Sequence, residues 1–186
     1  MDKEVIAAIA LGIGLSASAG FRVFVPLFVA SIAAHTGFLP VNEGFQWLAG
    51  WPAMICFGTA TVAEILAYYI PVVDNLLDGI TTPLSVMAGT LMLTSVLPID
   101  NEFLKWISGF VFGGGTAATI QAGSVLTRLA STKLTAGVGN HAVATGEHTA
   151  AIGTSLLSLV IPVIIAILVL VLLIFILLKV KKKITH

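Results

Sequence analysis

Apolar positions in this chain fall in long runs separated by short polar intervals, without the strict alternation of half-buried strands. Five of these runs approach the roughly 20 apolar residues that a helix needs to cross a bilayer: about 4–34, 52–73, 83–98, 103–129 and 149–178. The pattern predicts an all-α membrane protein with about five transmembrane segments, forming a single transmembrane domain over residues 1–186. The interval 35–51, with Pro40, Trp47 and Trp51, reads as a surface connection with interfacial aromatics. Pro71, Asp74, Asp78 and Gly79 mark an exit to a polar environment, and 131–148 reads as a polar loop.

Two of the five runs are crowded with glycine. The first contains Gly12, Gly14 and Gly20 with Ser16 and Ser18, and the fourth contains Gly109, Gly113, Gly114, Gly115 and Gly123. Glycine loosens a helix and hydroxyls rebond freed carbonyls, so breaks are expected between Gly14 and Gly20 and between Gly113 and Thr116. The other use of small residues is close helix packing. Gly109 and Gly113, four apart, predict such a face and with it a homodimer.

Composition confirms the class. Of 186 residues, 58% are hydrophobic and 10% charged, with a mean hydropathy of +1.06, well outside the range of soluble domains. A formal net charge of +0 excludes a nucleic-acid partner, which would require a basic surplus. Membrane lipid is the expected surrounding. The single cysteine, Cys56, reads as a small core residue. The N-terminus has no cationic region of a signal peptide, so the first segment is expected to stay in the mature chain. The lysines at 179 and 181–183 place the C-terminal tail on the cytoplasmic side of an inner membrane.

Residues 65–73 align with 156–164, proline on proline, and Ala19-Gly20 with Ala122-Gly123. Halves 4–79 and 103–179 would then form an inverted repeat, a plan that transport folds use to bring broken helices together near the midplane. Aliphatic helices containing a proline also align by chance, so repeat and coincidence both stand.

Ser18-Ala-Gly-Phe-Arg-Val-Phe-Val-Pro-Leu27, the segment from Glu64 to Asp74, and Thr135-Ala-Gly-Val-Gly-Asn140 followed by Glu147 resemble a bacterial membrane family catalogued as a domain of unknown function. The resemblance spans nearly the whole chain. It singles out Arg22, Pro26, Glu64, Pro71, Asp74, Gly139, Asn140 and Glu147. The sequence departs from the family pattern at Tyr68 and Tyr69, where an acidic–basic pair is usual, and at Thr82, where an arginine is usual. The resemblance supplies no activity.

Candidate chemistry centres on Arg22, the only charge between Glu4 and His35. An intramembrane guanidinium is costly and marks a cavity, a partner or a solute. Glu64, in the next run, is its expected counter-charge and a protonatable carrier, with Asp74 beside the exit. A static structural pair is the competing reading. Helix breaks expose backbone N–H groups to anions, which adds Ser18, Gly20, Gly114, Gly115, Thr116 and Asn140 to the expected solute site. His141, Glu147 and His148 match no metal spacing and read as solvated loop residues. No catalytic constellation, metal site or cofactor motif can be assembled. The expected function is therefore not enzymatic: a transporter or channel for a small anionic or zwitterionic solute, coupled to protons. A non-transporting scaffold or assembly factor is the alternative, with an intramembrane enzyme acting on lipid, which would need a lateral opening with clustered acids or a metal, held in reserve.

Overall fold

The protein is described by a computed structural model covering residues 3–184, with side chains described for all of these except 71–78, 177 and 179–184. Asp74 therefore lies outside the described side chains. The described residues are helical, with no strand among them.

Helix α1 (Lys3–Phe21) forms the axis of the bundle. It packs against α4 (Pro71–Val96), α6 (Gly115–Thr135), α7 (Asn140–Val160) and α8 (Pro162–Ile184). A helix enclosed on all sides has room only for small side chains, and every position from Gly14 to Gly20 is buried. Gly12 faces Leu93 and Val96 of α4, Gly14 faces Ser158 of α7 and Ile165 of α8, and Gly20 faces Ala117 and Ile120 of α6. Ser16 donates to the Gly89 carbonyl at 2.7 Å and Ser18 to that of Ala151 at 2.8 Å. The small residues of α1 thus bond and admit neighbouring helices.

They do not break the helix. α1 runs unbroken through the expected Gly14–Gly20 breakpoint and ends at Phe21; α2 (Phe24–His35) starts after Arg22 and Val23. The cause is Pro26, whose ring meets, and whose missing N–H leaves unbonded, the carbonyl four residues back, which is that of Arg22. The second expected break also takes another form. After α5 (Glu102–Ser108) the chain winds as a π-helix over Gly109–Gly114 and returns to α-helix at Gly115. This wider turn lies on α4, where a Cβ on Gly89 would stand 2.7 Å from the Gly113 carbonyl oxygen and one on Gly114 2.7 Å from Thr90 Oγ1. Gly109 and Gly113, expected to serve a homodimer, are covered by α4 of the same chain.

Between α2 and α4 lie a 3₁₀ helix, Glu43–Ala49, and α3 (Trp51–Ala67), bent at 62° to each other. The Asn42 amide donates to the carbonyls of Thr94 (2.9 Å) and Leu97 (3.0 Å), tying this connection to the C-terminal end of α4.

The count of spans differs from the expected five. Among the described residues, Lys3–Phe21 and Gly79–Val96 are long and apolar enough to cross a membrane, and the bent pair Glu43–Ala49 with Trp51–Ala67 makes a third if taken as one span. Phe24–His35 and Pro162–Ile176 are shorter apolar helices. Prolines divide the runs: Pro26 splits 4–34, and Pro162 splits 149–178 into α7 and α8. The expected loop 131–148 is instead the end of α6, a turn with Ala136 and Gly137 at positive φ (51° and 89°), and the first half of α7. The third run starts earlier than expected, since α4 begins at Pro71 and contains Pro83. Cys56 is exposed rather than in the core. On α3 and α8, Ile55, Val62, Leu66, Ile167, Val171 and Ile174 form exposed apolar surfaces of the kind that lipid covers.

Candidate functional site

The helix break at Arg22 and Val23 leaves backbone groups without intrahelical partners, and the site is built around it. Val23 and Phe24 present free N–H groups at the start of α2, which has no side-chain cap of its own. Glu64 of α3 supplies one from outside: its Oε1 accepts from Val23 N at 2.8 Å and its Oε2 from Phe24 N at 3.0 Å. A carboxylate is the favoured group at a helix N-terminus. The anion-binding end that the sequence reading reserved for a solute is thus filled by Glu64, and the expected Arg22–Glu64 pair is replaced by another.

Arg22 is 1% exposed and turns toward α7. Its Nη2 meets Glu147 Oε2 at 2.9 Å, Nε donates to His148 Nδ1 at 2.7 Å, and Nη1 donates to the Phe21 carbonyl at 2.8 Å. From α6, Arg128 reaches the same carboxylate: its Nε lies 3.1 Å from Glu147 Oε2, and its Nη2 pairs with that oxygen too. Ser124, one turn earlier on α6, donates to Glu147 Oε1. One buried carboxylate therefore holds two buried guanidiniums, at an interface of α1, α6 and α7. Opposite charges in low dielectric offset part of each other's desolvation, and here the pairing runs through hydrogen bonds as well.

Tyr68, at the C-terminal end of α3, closes the cluster. The Arg22 and Arg128 guanidinium carbons lie 3.8 and 4.2 Å from its ring centroid, a cation–π arrangement. Its hydroxyl lies 3.2 Å from Thr81 Oγ1, which also accepts from Gln121 Nε2 at 3.2 Å. His148 sits near both tyrosines, 6.2 Å from the Tyr68 ring and 5.6 Å from that of Tyr69. Because its Nδ1 accepts from Arg22, the proton of the neutral ring is on Nε2. That Nε2 is buried without a partner among the described residues.

Beside the cluster, between α1, α6, α7 and α8, lies a half-open cavity of about 690 Å³, along which Leu126, Thr127, Gly146 and Phe175 are exposed. Glu147 and Ser124 form part of its wall, and Phe21, Ile120, Val143, Leu172, Phe175 and Ile176 form much of the rest.

Of the residues expected at the site, Arg22 is at its centre and Glu64 at its edge. Ser18 and Gly20 hold α1 to α7 and α6, and Gly114 packs on α4. Gly115 is exposed, and Thr116 is buried on α6. Asn140 bonds Thr132 at 3.0 Å across the α6–α7 turn and is half-buried. None of these six reaches the cluster through a described side-chain contact. Glu147 and His148, read from sequence as solvated, are each 6% exposed and central. Arg128 and Tyr68 were not assigned to the site at all. The missed signal is the period of α7, whose buried positions Ala144, Glu147, His148, Ala151, Ser155 and Ser158 recur every three or four residues. No group of three or more metal-ligating side chains is present among the described residues.

A profile of the family described as Domain of unknown function (DUF4126) matches residues 9–182. No curated protein and no solved structure matches the chain.

Proposed function

We propose a function from the site alone, because the chain belongs to the DUF4126 family, whose domain is itself of unknown function. The reading is a small inner-membrane transporter for an anionic solute, with the Arg22–Glu147–Arg128 cluster as its gate. One observation carries it: the carboxylate that holds two buried guanidiniums also forms part of the wall of a large cavity. An anionic group arriving from the cavity competes with Glu147 for the same donors, and arginine's planar fork suits carboxylate or phosphate. Once displaced, Glu147 has given up both guanidinium partners to the solute. The proton-coupling role expected of Glu64 is proposed for Glu147 instead.

Broken helices around the cluster fit the same reading, since transport folds place such breaks at their binding sites. The two prolines of the proposed repeat, Pro71 and Pro162, each open a helix, after Ile70 and Ile161 respectively. An inverted repeat remains part of the proposal on that support.

A scaffold is the second reading. What favours it is that Glu64 has both oxygens on backbone N–H groups, as a static brace would. Flux in proteoliposomes decides between them. The parent is expected to carry monocarboxylates faster as the pH falls, Glu147→Gln to lose that pH dependence, and Arg22→Lys to lose selectivity among anions. No flux of any monocarboxylate through the parent, together with variants that only melt earlier, would leave the scaffold reading in its place.

A further inference from the structure

We infer that the solute is amphiphilic: a single-chain carboxylate whose apolar body lies in the cavity between α1, α6, α7 and α8 and whose head meets the donors now held by Glu147. This rests on the transport reading and narrows its substrate class. The cavity, at about 690 Å³, is within the range that takes whole organic ligands and far larger than a small anion requires. It opens on the outer face of the bundle, and polarity in its wall is concentrated. Thr127 has its hydroxyl turned to the Gly123 carbonyl of its own helix at 2.8 Å. The remaining polar side chains of the lining, Ser124 and Glu147, are bonded to each other and so mark one point.

Around that point the wall is Ile120, Leu126, Val143, Leu172, Phe175 and Ile176. A ligand matching it has one polar end and a hydrocarbon remainder. The charge of the head follows from what holds Glu147. With Glu147 displaced, Arg22 and Arg128 present their donors at that position, which draws an anion and repels a cationic head. The buried Nε2 of His148, next in sequence to Glu147, is a further donor without an acceptor among the described residues.

Gly146 provides the test, because it lines the cavity and a Cβ built on it meets nothing within 4 Å. Gly146→Leu therefore fills the cavity without a clash at its root. Gly153 has equally open surroundings and is not part of the lining, so Gly153→Leu is the control. The experiment is equilibrium binding of acetate, butyrate, octanoate and octylammonium to the full chain in nanodiscs of zwitterionic phospholipid, with empty nanodiscs subtracted. Native mass spectrometry of the same samples reads any retained lipid.

Saturable octanoate binding is expected, with affinity rising about fourfold for each added methylene. It is lost in Gly146→Leu and kept in Gly153→Leu, and octylammonium does not bind. Equal binding of acetate and octanoate, indifferent to Gly146→Leu, would overturn the amphiphile and leave anion transport standing. Octylammonium binding as well as octanoate would overturn the anionic head. A retained phospholipid that octanoate cannot displace would assign the cavity to a lipid chain and overturn the inference. Absence of all binding together with absence of flux would remove the transport reading as well.

Discussion

Glu64 accepts the backbone N–H of Val23 at 2.8 Å, so a carboxylate from α3 caps a helix that α1 and α2 leave open. The same carboxylate takes the Phe24 N–H with its other oxygen, and the break is thereby fixed at one place in the chain. Glu64 thus braces the break, and its substitution separates folding from the proposed transport.

Glu64→Gln is expected to destabilise the protein. The amide offers one carbonyl oxygen where two carboxylate oxygens served, and turns an NH₂ toward a backbone N–H. Losing one buried, charge-assisted bond costs about 1.5–3 kcal/mol. Thermal unfolding in mild detergent should show it as a lowered midpoint, while any pH dependence of flux survives in the folded fraction. A midpoint equal to the parent's would mean that Glu64 is not holding the break.

The central helix and the buried arginine were legible in the sequence because each breaks a rule that membranes enforce. A lone guanidinium at Arg22 has to face inward, and the density of Gly, Ala and Ser in α1 requires close neighbours. The place of the helix break was legible in Pro26 but was assigned to the glycines, which look alike as packing residues and as breakers. What the sequence concealed was pairing. Glu147 and His148 lie among Asn, Thr, Gly and His, a composition that suggests a loop in water, yet these residues form the inward face of α7. In lipid a polar helix face turns to the protein interior, so the three- and four-residue spacing was a better guide than polarity. Which carboxylate Arg22 would choose depends on how α3, α6 and α7 cross α1, and that is a property of packing rather than of local sequence.

Tyr68 yields a graded prediction. Its ring lies against both guanidiniums, and among the described residues its hydroxyl meets Thr81 Oγ1 at 3.2 Å. Tyr68→Phe keeps the ring and loses one long hydrogen bond, for an expected cost of about 1 kcal/mol. Tyr68→Leu removes the π face from two buried cations, where each desolvated contact is worth about 2 kcal/mol, and should fall well below the Phe variant. Unfolding midpoints of the three proteins in one detergent check the order. If Leu and Phe were equally stable, the ring would not be supporting the arginines.

The glycines allow the two roles of that residue to be told apart by one substitution made at different places. In a free helix, Gly→Ala stabilises, because alanine loses less backbone entropy on folding, by up to about 1 kcal/mol. At Gly146 and Gly153 a new Cβ meets nothing within 4 Å, so this gain should appear undiminished and the unfolding midpoint should rise. At Gly20 the same Cβ would stand 2.6 Å from the Ala117 carbonyl oxygen and 2.6 Å from Ile120 Cβ. Neither atom is the far end of a flexible side chain, so α1 and α6 have to separate. Overpacking of this kind costs about 1–3 kcal/mol and outweighs the helix propensity gain. Gly20 also precedes Phe21 and Arg22, so moving α6 away draws Arg128 from the carboxylate it shares with Arg22. Gly20→Ala should then lower both the midpoint and octanoate binding, whereas Gly153→Ala raises the first and leaves the second alone. A Gly20→Ala protein as stable as the parent would show that the close approach of α1 and α6 is not what holds the two arginines on Glu147.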